Sequence, residues 1–95
     1  MNLIHLRYFV ELSRPGSYTQ AARRLCITQP SLSHAMAQLE EELGTELFRR
    51  QGRTTVLTPL GEQFLTSVCH SLDILDRGIG EVRQAARGAG LLRIG

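Results

Sequence analysis

The sequence contains no lysine and no tryptophan, and only two of its 95 residues are cysteine. The two cysteines, Cys26 and Cys69, lie far apart, without a CxxC pair or a histidine at metal-ligand spacing. This spacing excludes the zinc-site and disulfide-scaffold patterns that short cysteine-rich chains use. We therefore expect both thiols to be buried as small apolar side chains.

Long apolar segments are also absent. No run approaches the ~18 consecutive apolar residues that a membrane span requires. Residues 1–5 lack the basic region and the long apolar stretch of a signal peptide. We therefore expect no membrane partner and a cytoplasmic location.

Groups that perform catalytic chemistry are equally scarce. The sequence has no paired acid and base cluster, no nucleophile motif and no set of metal ligands. Asp73 and Asp76 are three residues apart in a helical stretch, where they are better explained as surface residues. We expect no enzymatic activity, no cofactor and no metal site.

The charged residues that are present follow a pattern along the chain. The formal net charge is only +2, and all eleven basic residues are arginine. Residues 1–39 contain four arginines and one glutamate, residues 40–46 contain four glutamates, and Arg49, Arg50 and Arg53 follow. This basic, acidic, basic order suits a body that turns one face toward phosphates and another away from them.

Three helices are predicted in the first half of the chain. Apolar residues recur there at spacings of three and four, which is typical of helices that pack on a core. Each predicted helix has a capping side chain at its start and a stop signal at its end. The first helix starts at Asn2 and stops at Pro15-Gly16. The second starts at Ser17, in a capping box with Gln20, and stops at Cys26-Ile27. The third starts at Thr28, which Pro30 follows, and stops at Gly44.

The strongest functional signal lies between residues 18 and 37, where two short helices are joined by a tight turn. The N-terminal half of the second helix is polar and free of acids. A major groove admits one such helix, and side chains near its N-terminus contact base edges. Gln29 carries the carboxamide that pairs with adenine. Small helical domains can mimic this arrangement, and Cys26 stands in the turn where glycine is common, so alternatives stay open at this point.

A hairpin is predicted after the third helix. Residues 47–50 and 53–57 form its strands and Gln51-Gly52 its turn, because β-branched residues favour extended structure and glycine suits the turn. A wing with arginine at its tip can enter the minor groove, where narrow A·T tracts concentrate negative potential. The alternative is a solvated hairpin, which the neighbouring helix-turn-helix disfavours.

A long last helix is predicted from Thr58, its cap, and Pro59, its first residue, to about Arg87, with a stop at residues 88–90. Its 29 residues at ~1.5 Å each span roughly 43 Å, which is more than a domain this small can cover. We predict that it pairs two chains through apolar residues at coiled-coil intervals. These are Leu60, Phe64, Val68, Leu72, Leu75, Ile79, Val82 and Ala86.

Taken together, these motifs resemble the N-terminal domain of the LysR-type transcriptional regulators, over essentially the whole chain. The matching motifs are Ala21-Ala22-x-x-Leu25, Thr28-Gln29-Pro30-Ser31-x-Ser33, Leu39-Glu40-x-x-Leu43-Gly44-x-x-Leu47-Phe48-x-Arg50 and Leu57-Thr58-x-x-Gly61. The resemblance implies a mainly α fold, a winged helix-turn-helix of three helices and a two-stranded wing, followed by a long dimerisation helix. It also implies sequence-specific binding of double-stranded DNA at an interrupted inverted repeat.

The resemblance further implies roles for particular residues. Gln29, Pro30, Ser31, Ser33 and His34 would contact bases. Phosphate or minor-groove contacts would fall to Ser17, Thr19, Thr28, Arg50, Arg53 and Thr54. The sequence departs from the family at His34, where arginine is usual, so that contact is expected to be weaker or dependent on pH.

The resemblance also divides the chain. Residues 1–58 would form the DNA-binding domain, residues 59–88 the linker helix, and residues 89–95 the start of a missing effector domain that would hold a small-molecule inducer. We therefore expect a fragment of a longer regulator, which would be a tetramer. Two rival functions remain: a protein-interaction module whose arginines only confer solubility, and an architectural protein that binds DNA without sequence preference.

Overall fold

The computed structural model describes residues 1–14 and 16–89, so Pro15 of the first predicted stop and residues 90–95 of the predicted further domain lie outside the described residues. Four helices and one hairpin follow one another along the chain. They are α1 (Leu3–Ser13), α2 (Tyr18–Leu25), α3 (Gln29–Leu43), β1 (Phe48–Gln51), β2 (Thr54–Leu57) and α4 (Pro59–Ala89). The mainly α fold, with a two-stranded wing and a long last helix, is the predicted one.

The helix starts are fixed by side-chain caps. The predicted capping residues of α1, α2 and α3 adopt extended backbone and satisfy a backbone N–H that has no partner within its own helix. In each helix the capping oxygen accepts from the amide three residues on: Asn2 from His5 at 2.8 Å, Ser17 from Gln20 at 3.3 Å and Thr28 from Ser31 at 3.2 Å.

The core lies where α1 meets the other elements. The ring of Phe9 is fully buried and contacts Phe48 of the wing edge-on, with ring centroids 5.3 Å apart. It also contacts Phe64 of α4, with centroids 5.4 Å apart. Burial of one such aromatic side chain contributes roughly 1.5–3 kcal/mol. One residue of α1 therefore joins the wing and α4 to the three-helix body.

The wing is an antiparallel pair in which Phe48 faces Leu57 and Gln51 faces Thr54. The turn therefore consists of Gly52 and Arg53, one residue later than predicted. The reason is that Gly52 has a φ of +64°, and glycine suits the first position of a two-residue hairpin turn. Arg53 consequently stands at the tip of the wing rather than in the second strand.

The base of the wing is held by the start of α4. Thr58 donates its amide to the carbonyl of Leu47 at 2.9 Å and its hydroxyl to the carbonyl of Glu46 at 2.7 Å. The Thr58 hydroxyl oxygen also caps α4 by accepting from the amide of Gly61 at 3.0 Å. A Cβ atom at Gly61 would lie only 2.1 Å from the Leu47 oxygen, so the two backbones approach closely at this point.

Helix α4 is longer than predicted, because it runs through Gly88 to Ala89. An interior glycine costs a helix only about 1 kcal/mol relative to alanine, which does not by itself end one. Its 31 residues extend about 46 Å, and the described chain measures 56 Å along its longest axis. Among the described residues, no helix is both long and apolar enough to cross a membrane.

The apolar stripe of α4 makes two kinds of contact. In its first half, Phe64, Val68 and Leu72 pack against the chain's own core, which leaves little of Val68 and Leu72 exposed for the predicted dimer seam. In its second half, Leu75, Ile79 and Val82 are exposed, because the helix there extends beyond the body that α1 covers. Leu60, at the start of the helix, is exposed as well.

The expectation of buried cysteines is wrong for both residues, which are exposed. Cys26 is the C-cap of α2 and has left-handed backbone, with a φ of 61°. Cys69 directly follows the buried Val68, and neighbouring helical positions point in directions about 100° apart. It therefore lies away from the middle of the buried stripe.

Candidate nucleic-acid interface

The turn between α2 and α3 forms without glycine. The amide of Cys26 donates to the carbonyl of Arg23 at 3.2 Å, and the amide of Ile27 donates to the carbonyl of Ala22 at 3.0 Å. Left-handed backbone costs a residue with a side chain roughly 1–2 kcal/mol, which the surrounding contacts must offset. On the packed side, Ala22 is buried and small, so α2 can approach its neighbours closely. The predicted helix-turn-helix is therefore present despite Cys26.

The first half of α3 presents a polar surface. Leu32, Ala35 and Met36 are buried beneath it. All five residues that we predicted to contact bases are exposed: Gln29, Pro30, Ser31, Ser33 and His34. By helical spacing, Gln29, Pro30, Ser33 and His34 share one face, with Ser31 at its edge. We call this surface the α3 face.

Hydroxyl groups at the start of α2 and α3 border the α3 face. The hydroxyl of Thr19 donates to Oε1 of Gln29 at 3.1 Å, which brings together a predicted phosphate contact and a predicted base contact. The hydroxyl of Thr28 donates to Oγ of Ser31 at 2.8 Å, so Ser31 takes part in the cap of α3. Ser17 is half-buried as the cap of α2.

The predicted wing residues are exposed and lie on one hairpin. Arg50 is in β1, Arg53 is at the tip, and Thr54 begins β2. Thr54 donates its hydroxyl to the carbonyl of Gln51 at 2.9 Å, so it holds the turn together. Within the described part of the chain, neither arginine has a salt-bridge partner. Both guanidinium groups are therefore available to an anion.

Glu40 connects α3 to the wing, which the sequence analysis missed. Its Oε2 atom accepts from the amides of Leu47 at 2.7 Å and Phe48 at 3.2 Å, so one carboxylate fixes the backbone at the start of β1. Burial raises the pKa of Tyr18 above its ordinary 10.0, and the negative charge of Glu40 raises it further, while Arg50 opposes the shift. The available signal was the first acid of the run Glu40–Glu42, one turn before the predicted helix stop and directly after the apolar Leu39.

Several acids form ion pairs on α1, α2 and α4. Glu11 pairs with Arg24 at 3.2 Å and with Arg14 at 4.0 Å, which joins α1 to α2. Asp73 and Asp76 are exposed on α4, as predicted, where they pair with Arg77 and Arg7. Over residues 1–14 and 16–89, no group of three or more His, Cys, Asp or Glu side chains is arranged to hold a metal ion.

The same arrangement of elements is found in known proteins. A family model described as "Bacterial regulatory helix-turn-helix protein, lysR family" matches residues 3–62, from α1 into the first turn of α4. The chain belongs to the LysR family. The predicted family is thereby confirmed.

Two regulators illustrate the sequence similarity of this LysR-family chain to known proteins. The HTH-type transcriptional regulator BudR of Klebsiella aerogenes is 46% identical over 96 residues, which cover the whole chain and 67% of that protein. The HTH-type transcriptional regulator AlsR of Bacillus subtilis is 44% identical over 96 residues, which cover the whole chain and 32% of that protein. The chain therefore spans about two thirds of one relative and a third of the other.

A solved structure agrees with the fold as well. The DNA-binding domain of BenM, crystallised as a complex with catB site 1 DNA, superposes with a TM-score of 0.89 at 40% identity. The match covers 94% of this chain and 96% of that one. The predicted winged helix-turn-helix with a long C-terminal helix is confirmed, and so is the predicted function class, the DNA-binding domain of a LysR-type transcriptional regulator.

Proposed function

We propose that this LysR-type domain binds double-stranded DNA as a homodimer, with α3 in the major groove and the wing in the adjacent minor groove. The dimer recognises an interrupted inverted repeat and so controls transcription. The observation that carries the proposal is the α3 face, which is polar, exposed and free of acids. The same helix is joined through Glu40 to a wing whose two arginines, Arg50 and Arg53, have no salt-bridge partner among the described residues.

Base recognition is assigned to the first half of α3. Gln29 offers one acceptor and one donor, the pair that matches the major-groove edge of adenine. Ser33 and His34 share its face and can donate or accept hydrogen bonds, while Pro30 offers apolar contact to a thymine methyl group. Ser31 is already used in the cap of α3, so we assign it a contact at the edge of the surface.

Phosphate contacts are assigned to the helix starts and to the wing. Ser17 and Thr28 stand at the N-termini of α2 and α3, where backbone amides and the helix dipole favour a phosphate. We assign Arg53 at the wing tip to the minor groove and Arg50 to the phosphate backbone beside it. These groups hold the domain in register, whereas the α3 face supplies the specificity.

Dimerisation is assigned to the exposed part of α4. Leu75, Ile79 and Val82 continue the apolar stripe beyond the chain's own core, and Ile74 beside them is 58% exposed. A second α4 laid alongside would remove these side chains from water, with a gain of about 25 cal/mol for each Å² of apolar area buried. Two-fold pairing then presents two α3 faces to one duplex, which implies a two-fold DNA site.

The proposal also covers the division of the chain and the longer protein. Residues 1–58 bind DNA and residues 59–88 link and dimerise. Because the chain matches only a third of AlsR, we infer that the complete regulator has a further domain, which binds a small-molecule inducer and supports a tetramer. The regulator acts on DNA and catalyses no reaction.

The test is selection from a random pool of double-stranded DNA with the purified chain, followed by titration of the selected site at two salt concentrations. We expect the selected site to be an interrupted inverted repeat. The affinity should fall steeply with salt, so that the logarithm of the binding constant plotted against the logarithm of the salt concentration has a slope of about −0.9 for each phosphate neutralised. If the protein is folded and dimeric but enriches no sequence from the pool, specific binding is contradicted. That outcome would favour the protein-interaction module or an architectural protein.

A charge on α4 tests the dimer separately. Val82→Glu places a carboxylate on the exposed stripe and should yield a monomer in sedimentation that binds a half-site weakly. Gln84→Glu adds the same charge on the opposite face of the helix and should leave the dimer intact. Equal sedimentation of the two variants would contradict the assigned interface.

A further inference from the structure

The contact between Thr19 and Gln29 lies where α2 meets the start of α3. The Thr19 hydroxyl is 3.1 Å from Oε1 of Gln29, and both residues are exposed beside the α3 face. In this contact the hydroxyl donates and the carboxamide oxygen accepts, so Oε1 rather than Nε2 faces Thr19. The contact therefore bears on what Gln29 can recognise.

We propose that Thr19 is a positioning residue that determines the base preference of Gln29, rather than a phosphate ligand. The inference rests on the proposed function, because it concerns how the α3 face recognises DNA. It replaces the phosphate role that the family resemblance suggested for Thr19.

The number of hydroxyl protons limits the partners of Thr19. A threonine hydroxyl has one proton to donate. If that proton goes to Oε1 of Gln29, the free edge of the carboxamide presents its acceptor and donor in a fixed order. If the proton goes to a phosphate oxygen, the hydroxyl can only accept from Nε2, and the amide must turn over. One proton cannot serve both partners.

The order of acceptor and donor matters because adenine offers a donor, N6, beside an acceptor, N7. A carboxamide in one orientation matches both atoms, whereas the inverted carboxamide sets donor against donor and acceptor against acceptor. A glutamine side chain without the Thr19 contact also loses more rotamer freedom on binding. Thr19 therefore favours one base because it orients the carboxamide of Gln29 before DNA binds.

The test compares variants of the intact domain on the selected operator and on operators with single base changes. Thr19→Val removes the hydroxyl and keeps the shape, and Thr19→Ser keeps the hydroxyl. A matched bidentate contact is worth about 5- to 100-fold in discrimination. We expect Thr19→Val to reduce that preference at least about threefold, at one position of each half-site only, and Thr19→Ser to retain it.

The double variant separates positioning from phosphate binding. Gln29→Ala should remove the base preference at the same operator position as Thr19→Val does. Adding Thr19→Val to Gln29→Ala should then change the affinities for the operators little further. Equal weakening on all operators, or additive losses in the double variant, would overturn the inference in favour of a phosphate ligand. Thr19→Ala repeats the test if circular dichroism shows that Thr19→Val is unfolded.

The outcomes also separate this inference from the function on which it rests. If the unmodified domain shows no preference among operators, the proposed specific binding fails. If it shows a preference that Thr19→Val retains at every position, only the role of Thr19 fails.

Discussion

Replacing Gly61 by alanine should strongly destabilise the domain. The added Cβ would lie 2.1 Å from the carbonyl oxygen of Leu47 and 3.1 Å from Cδ2 of Leu57. The first distance is far inside the ~3.5 Å at which non-bonded atoms attract each other most. The clash is with backbone, and Leu47 is itself a fully buried core residue, so neither side can yield cheaply.

The size of the effect follows from three terms. Overpacking costs about 1–3 kcal/mol. Displacing the Leu47 carbonyl also weakens its bond to the Thr58 amide, worth about 0.5–1.5 kcal/mol. Alanine returns about 1 kcal/mol of helix propensity. These terms sum to a fall of about 0.5–3.5 kcal/mol in the free energy of unfolding, and its middle value of about 2 kcal/mol lowers the Tm of a domain of this size by about 8–16 °C.

Gly80→Ala is the matched control, because it lies on the same helix with nothing within 4 Å of the added Cβ. It should raise the free energy of unfolding by about 0.5–1 kcal/mol. Urea unfolding followed by circular dichroism, at one protein concentration, measures both variants. If Gly61→Ala proves as stable as Gly80→Ala, the close approach of α4 to the wing is not as described.

Three further predictions concern the interface and its supports. Arg53→Ala should weaken DNA binding most on operators with A·T-rich flanks, measured by fluorescence anisotropy against the control Arg77→Ala; a loss that ignores the flanks would refute the minor-groove role. Glu40→Gln should lower the free energy of unfolding by about 1–3 kcal/mol, because a neutral carboxamide oxygen accepts the bonds from the two backbone N–H groups more weakly than the charged carboxylate does. The exposed Glu41→Gln should leave the free energy of unfolding unchanged, and equal urea midpoints for the two variants would contradict the support that Glu40 gives to the wing. The raised pKa of Tyr18 means that the folded state favours the protonated phenol, so the contribution of Tyr18 to stability is full below pH 10 and is lost as the pH rises through the folded-state pKa. Above pH 10 the urea midpoint of the unmodified domain should therefore fall more steeply than that of Tyr18→Phe. Parallel pH curves for the two proteins would contradict the raised pKa.

Local patterns in the sequence were sufficient for most of the fold. The caps of α1 to α3, the proline at the start of α4 and the glycine-centred hairpin depend on a few neighbouring residues, so their physical cause is visible in the sequence. The exposed face of α3 follows from the same logic, because Leu32 and Met36 define its buried side. The family resemblance supplied the roles of individual residues.

Features that depend on distant contacts could not be predicted in this way. The stripe of α4 has uniform spacing, and only the position of α1 decides that Val68 is buried while Val82 is 69% exposed. The role of Glu40 depends on the path of the backbone after α3, which brings the amide of Leu47 close to the Glu40 carboxylate. Cys26 was expected to be buried from its residue type, whereas its place at a helix end exposes it.

The continuity of α4 has a geometric consequence for operator spacing. The helix has no break between Phe64, which lies in the core of the DNA-binding body, and Val82 on the proposed dimer face. The proposed dimer contact and the DNA-binding body therefore belong to one continuous helix. The way in which two α4 helices pair would then fix the distance and the orientation between the two α3 faces. Inserting one residue would turn the dimer face by about 100°, whereas seven would restore its direction and lengthen the helix by about 10 Å. In the proposed dimer, the length of α4 would therefore set the distance between the two half-sites.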